Sequence, residues 1–170
     1  RTTGYSTVGF NPWPTFSKTV LVLLMLIGAS AGSTGGGIKV SRIVILAKSV
    51  KKELKQYLHP HSISKIKMDG KPVEHEVVRS INVFLIAYLL IYAVSMLIVS
   101  LDNFDFTTTF TSVAATINNI GPGLDLVGPA ANFGILSVPS KLVLVFDMLA
   151  GRLEIFPLLL LFVPDTWRKF

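Results

Sequence analysis

Between Arg79 and Asp102 the chain runs for twenty-two residues, Ser80 to Leu101, without one charged side chain. About twenty apolar residues cross the hydrocarbon core of a bilayer, so this stretch reads as a transmembrane helix. The placement of charge elsewhere agrees. Only 15% of the residues are charged, where a soluble domain carries about a quarter, and 51% are hydrophobic. Ten of the sixteen Lys and Arg lie between Lys39 and Arg79, and the apolar stretches on either side have few. That is the layout of a membrane protein with one basic cytoplasmic loop, and it accounts for the net charge of +6 without nucleic acid. Cysteine is absent, which excludes disulfides, thiolate metal sites and cysteine nucleophiles. The chain starts at Arg1 with neither an initiator Met nor a signal peptide, and the expectation is a fragment of something larger.

A second uncharged run lies between Lys18 and Lys39, solidly apolar from Thr19 to Ile27. Its remainder holds Gly28, Gly32, Gly35, Gly36 and Gly37, five glycines in ten residues. Each costs a helix about 0.5–1 kcal/mol relative to Ala. Non-helical backbone at membrane depth persists only where protein or a water-filled cavity surrounds it. The expectation is a helix from Phe16 to about Tyr57, interrupted near Gly32 to Gly37. Past the break, Ile43, Leu46, Ala47, Val50, Leu54 and Tyr57 recur at helical spacing, with Lys48, Lys51, Lys52 and Lys55 on the remaining surface. Ser64 to Met68 and Lys71 to His75 flank Asp69-Gly70, which predicts a small cytoplasmic β-hairpin.

Phe106 to Leu124 is uncharged for nineteen residues, but it is rich in Thr and runs into Asn118, Asn119, Gly121, Pro122 and Gly123. A short helix followed by an extended re-entrant segment is the better reading. The last span, Leu142 to Val163, carries Asp147, Arg152 and Glu154, and Trp167, Arg168 and Lys169 close it with a flank typical of a cytoplasmic end. The chain also repeats itself. Shifted by 123 positions, Lys18 to Gly28 falls on Lys141 to Gly151, with seven of eleven positions identical. A glycine-containing polar stretch precedes each copy: Thr2-Thr3-Gly4-Tyr5 first, then Asn118-Asn119-Ile120-Gly121. The unit is helix, re-entrant loop, helix. The organisation expected is 1–58 for the end of one pore repeat, 59–79 for the cytoplasmic loop with its hairpin, and 80–170 for a complete further repeat. The fold class is an all-α polytopic membrane protein with potassium-channel-type pore loops.

Potassium filters are extended loops whose backbone carbonyls replace the ion's hydration shell, with T-V-G-Y-G as the known pattern. Both polar stretches resemble it, and glycine frees the backbone to turn every carbonyl inward. A helix over about Thr107 to Ile117 would aim its negative C-terminal end at the cation path. Thr7-Val8-Gly9-Phe10 competes in the first copy, but its glycine stands only nine positions ahead of Lys18, so Gly4 is preferred.

Three segments make the resemblance specific: Ala31-Gly32-Ser33-Thr34-Gly35-Gly36-Gly37-Ile38-Lys39-Val40, Ala115-Thr116-Ile117-Asn118-Asn119-Ile120-Gly121-Pro122-Gly123-Leu124, and Asp147-Met148-Leu149-Ala150-Gly151-Arg152-Leu153-Glu154-Ile155-Phe156. The chain resembles the C-terminal part of the TrkH family of bacterial potassium uptake subunits, related to the Ktr and plant HKT proteins. The resemblance implies four helix–loop–helix repeats around one pore. Thr2, Thr3, Gly4 and Tyr5 would stand in the third filter segment, and Asn118, Asn119, Ile120 and Gly121 in the fourth. It implies that Gly32, Ser33, Thr34, Gly35, Gly36 and Gly37 form an intramembrane gating loop below the filter. It implies a homodimer in the bacterial inner membrane, controlled by a cytosolic TrkA-type nucleotide-binding subunit. Residues 48–79 and the C-terminus would be cytoplasmic. Potassium would be the transported ion, held by backbone carbonyls only, with no bound cofactor. Pro122 stands where the generic filter has Tyr.

Arg152 follows from geometry as well. It lies eleven residues into the last helix from Lys141, a rise of roughly 16 Å, near the bilayer middle, where a charge is costly and usually functional. Asp147 and Glu154 share another face and are no easy partners for it, and the repeat sets Arg152 opposite Ala29, just before the glycine cluster, so Arg152 is expected to face the pore below the filter. The plainer alternative is a bridge to a carboxylate on a neighbouring helix. Enzyme readings fail at the motif level: in Gly32 to Lys39, Ile38 separates the last glycine from Lys39, so no phosphate-binding loop forms, and His75-Glu76-Val77-Val78-Arg79 lacks the second zinc-ligating His. The competing transport reading is a proton- or sodium-coupled symporter with a broken-helix substrate site.

Overall fold

The computed structural model describes residues 4–30, 32–33, 35–59, 66–68 and 70–153. Five α-helices and a two-stranded hairpin form there: α1 (Thr15–Leu26), α2 (Val40–Leu58), β1 (Lys67–Met68), β2 (Lys71–Pro72), α3 (His75–Val99), α4 (Phe106–Ile117) and α5 (Val138–Leu153). Short 3₁₀ turns extend α3 through Asp102 and punctuate the link from α4 to α5. The second half of the expected last span, with Glu154, Trp167, Arg168 and Lys169, lies outside the described residues.

Residues 75–102 form a helix long and apolar enough to cross a bilayer, as the uncharged run predicts. It stops because Asn103 turns into the left-handed region at φ 56°. The glycine-rich break is wider than expected. α1 ends at Leu26 and α2 begins at Val40, so non-helical backbone starts before Gly28. The cause is a pinch: Gly28 N donates to Ile38 O at 2.8 Å, and Val40 N donates to Ala29 O at 3.2 Å. These bonds replace the helical ladder and pin the two ends of the break together. Alanine at 28 would place Cβ 2.8 Å from the carbonyl oxygens of both Gly36 and Ile38, so the approach requires glycine.

α2 is helical as its periodicity predicts, yet its apolar stripe is not core in this chain: Val50, Leu54 and Tyr57 are exposed and only Ile45 is buried. The hairpin pairs Lys67 with Pro72 and Met68 with Lys71 around Gly70 (φ +79°). It is shorter than expected because His75 already begins α3. Lys48 Nζ on α2 donates to Lys67 O at 2.8 Å and ties the hairpin down.

α4 is the centre of the fold. Nine of its twelve residues are buried, between α3 and α5. With so little surface, three of its hydroxyls turn inward to the helix itself, Thr111 Oγ1 donating to Thr107 O (2.7 Å), Ser112 Oγ to Thr109 O (2.8 Å) and Thr116 Oγ1 to Ser112 O (2.9 Å), while the buried hydroxyls of Thr108 and Thr109 have no partner among the described residues. Such back-bonding satisfies a buried hydroxyl without a second element. Ile117 packs with Phe84, Tyr88 and Ala150, while Val113 packs with Val99, Leu136 and Leu144. α1 and α5 begin 123 residues apart, the same shift as the sequence repeat.

Candidate functional site

α4 starts on a side-chain cap, Asp105 Oδ2 accepting from Thr107 N at 3.0 Å. It ends in a Schellman motif. Asn119 is left-handed (φ 52°), its N–H donates to Thr116 O at 3.0 Å, and Ile120 N donates to Ala115 O at 2.8 Å. Asparagine tolerates that conformation better than most residues, and here it launches the extended segment. Gly121 follows at φ +107°. The chain then returns along α4: Leu124 N donates to Thr111 Oγ1 at 2.9 Å, and Gly123 N donates to Val127 O at 2.7 Å.

Gly4, also left-handed (φ +74°), meets this segment directly. A Cβ on Gly121 would sit 3.5 Å from Gly4 Cα, and one on Gly4 would sit 2.9 Å from Ile120 O. Two stretches 117 positions apart are thus brought backbone to backbone. Gly9, the competing glycine, has open space around its Cβ position and is not among the positive-φ glycines. Tyr5 is 96% exposed. Thr2 and Thr3 lie outside the described residues. Beyond Gly4, Asn11 closes a second link: its Nδ2 donates to Asp125 O, and its Oδ1 accepts from Asp125 N, both at 3.2 Å.

The glycine segment packs beneath. A Cβ on Gly36 would lie 2.9 Å from Asn119 Nδ2 and 3.0 Å from Asn118 O, and one on Gly37 (φ +79°) would collide with Asn118 Oδ1. Gly35 N donates to Ser33 Oγ at 3.2 Å, while Gly32 is exposed with nothing near its Cβ position. Thr34 lies outside the described residues. Of the expected loop, then, Gly36 and Gly37 touch the foot of the Asn119–Gly121 segment and Gly32 does not.

Gly4, Ile120, Gly121, Met148, Lys141 and Arg152 line one cavity of about 570 Å³. Arg152 is exposed on that side of α5. Asp147 faces the other way, fully buried, its Oδ1 accepting from Ser95 Oγ of α3 at 2.7 Å. Glu154 lies outside the described residues. α5 presses on α4 where Gly151 meets the Ile117 carbonyl, and Asn119 Nδ2 donates to Met148 O at 3.0 Å.

Three contributors escape the sequence reading: Tyr88, whose hydroxyl donates to Asn118 Oδ1 at 3.2 Å, Thr111 and Asn11. A signal existed for the first, since Tyr88, Tyr92 and Ser95 share one face of an otherwise apolar helix.

Residues 1–169 match the TrkH family, described as a cation transport protein. The chain is 44% identical over 168 residues to the Trk system potassium uptake protein TrkH of Vibrio parahaemolyticus, and the match covers 99% of this chain and 34% of that protein. Against the Escherichia coli (strain K12) TrkH the identity is 41%, with the same coverage. The crystal structure of the potassium transporter TrkH from Vibrio parahaemolyticus superposes with a TM-score of 0.84 at 43% identity, covering 98% of this chain and 35% of that one. The chain therefore spans about a third of the length of the relatives it matches. On these matches it belongs to the TrkH family of cation transport proteins.

Proposed function

We propose that this chain is the C-terminal third of a potassium uptake protein of the bacterial inner membrane and supplies two of the filter segments around its pore. The observation that carries the reading is the apposition of Gly4 and Gly121, both at positive φ and each near the other's backbone. Glycine at both positions lets neighbouring carbonyls turn to one side, which a filter of backbone oxygens requires. Potassium is the substrate named for the relatives. Thr2, Thr3, Gly4 and Tyr5 form one segment, and Asn118, Asn119, Ile120 and Gly121 the other. α4 points the negative end of its dipole at the ion path.

The loop of Gly32, Ser33, Thr34, Gly35, Gly36 and Gly37 gates the path below the filter, and Arg152 adds a positive charge beside it. The packing of Gly36 and Gly37 under Asn118 and Asn119, and the cavity shared by Arg152 and Gly121, support that arrangement. The protein works as a homodimer under a TrkA-type nucleotide-binding subunit, with residues 48–79 on the cytoplasmic side. The test is Gly121→Ser in the complete protein reconstituted in liposomes. A side chain at φ +107° displaces the backbone, and the permeability of potassium relative to sodium falls. An unchanged ratio removes the filter assignment. A strict co-ion requirement with saturating flux would select coupled symport instead of conduction.

A further inference from the structure

Asn118 takes part in both the glycine segment's packing and the turn that ends α4. Its side chain is fully buried, with Nδ2 donating to Ala114 O at 2.8 Å and Oδ1 accepting from the Tyr88 hydroxyl at 3.2 Å. These two bonds leave the carboxamide one orientation. In that orientation it forms the wall against which Gly37 rests: a Cβ there would strike Oδ1 and lie 3.0 Å from Cγ. The backbone of the same residue begins the turn from which Ile120 and Gly121 leave α4.

α3 holds both ends of this contact. Tyr88 is 3% exposed and lies in one cluster with Phe84, Ile117 and Ala150, on which Ile38 of the glycine-rich break packs. Arg42, at the start of α2, sits 4.0 Å over the Phe84 ring. The exit of the break and the root of the Gly121 segment therefore lean on neighbouring residues of a single helix. We propose that Tyr88 and Asn118 are a positioning pair that couples the glycine segment to the filter, so that withdrawing Gly37 loosens the turn that carries Ile120 and Gly121. The inference rests on the reading of these segments as gate and filter.

A double-mutant cycle in the complete protein tests it, with rubidium flux into liposomes as the readout. Gly37→Ala drives its methyl into the Asn118 carboxamide, lifts the segment and raises flux. Tyr88→Phe removes only the hydroxyl and frees the carboxamide to swing aside. In the Tyr88→Phe background, Gly37→Ala then changes flux by a factor smaller by roughly threefold or more, the size of coupling expected for touching residues. Equal factors in both backgrounds overturn the proposal. Should Tyr88→Phe not fold, Asn118→Ser withdraws the carboxamide from the other side and gives the same attenuation. Melting temperatures of the variants separate a merely structural role, in which the pair couples in stability while the flux factors stay equal. Gly121→Ser keeps the two readings apart. If it shifts selectivity while the cycle is additive, only the coupling fails; if it leaves selectivity unchanged, the filter assignment fails.

Discussion

Gly151 sets two physical effects against each other with opposite sign. It lies within α5, where alanine is better by about 1 kcal/mol on helix propensity alone. The packing says otherwise. A Cβ at 151 would overlap the Ile117 carbonyl oxygen, and it would lie 2.8 Å from Ile117 C and 3.0 Å from Asn119 Nδ2. Carbon and carbonyl oxygen rest about 3.3–3.6 Å apart, so α5 must retreat on the order of 1 Å. That retreat stretches the 3.0 Å bond from Asn119 Nδ2 to Met148 O beyond hydrogen-bonding range. Overpacking costs about 1–3 kcal/mol, and the lost bond about 0.5–1.5 kcal/mol. After the propensity gain is subtracted, Gly151→Ala destabilises by about 0.5–3.5 kcal/mol. Thermal unfolding of the purified complete protein in detergent reads the sign. A melting temperature above that of the unsubstituted protein would mean that helix propensity wins and that α4 and α5 do not meet as closely as described.

Arg152→Ala is expected to raise potassium flux about two- to sixfold, from a repulsion of about 0.5–1 kcal/mol at roughly 8 Å and an effective dielectric of roughly 40–80. Selectivity should hold. Arg152→Lys keeps the charge but not the planar fork of donors, so Lys behaving like Ala in the flux assay would point to hydrogen bonding rather than field. Thr111→Val keeps the shape of the side chain and leaves the buried Leu124 N–H without its 2.9 Å acceptor, at a cost of about 1–3 kcal/mol. Thr111→Ser restores the oxygen and should recover most of that loss; equal melting of the Val and Ser variants would refute the role of the bond.

The helices were legible because periodicity and charge spacing act locally. The uncharged run before Asp102 gave α3, the Thr-rich stretch ending at Asn118 gave α4 to within one residue, and the 123-residue repeat recurs in the starts of α1 and α5, although α5 begins at Val138 and not at the Leu142 expected for the last span. The glycines marked both segments of the candidate site, because a left-handed turn leaves its trace in residue type. What composition could not show was which glycine meets which backbone. Gly28, Gly36, Gly37 and Gly151 all permit close approach, but their partners lie on other elements. Gly4, and not Gly9, lies against the backbone of Ile120 and Gly121, a contact that spacing to Lys18 does not specify.

Tertiary structure alone decided the side-chain partners. Asp147 and Arg152 are both charged residues on one apolar helix, and pattern separates their faces without saying what each face meets. Packing turns Asp147 to Ser95 and leaves Arg152 on the cavity with Gly4 and Gly121. Tyr88, Thr111 and Asn11 bond across sequence separations of 30, 13 and 114 residues. No local preference encodes such pairs, since a hydroxyl or carboxamide selects its partner only after the backbone has brought one within about 3 Å.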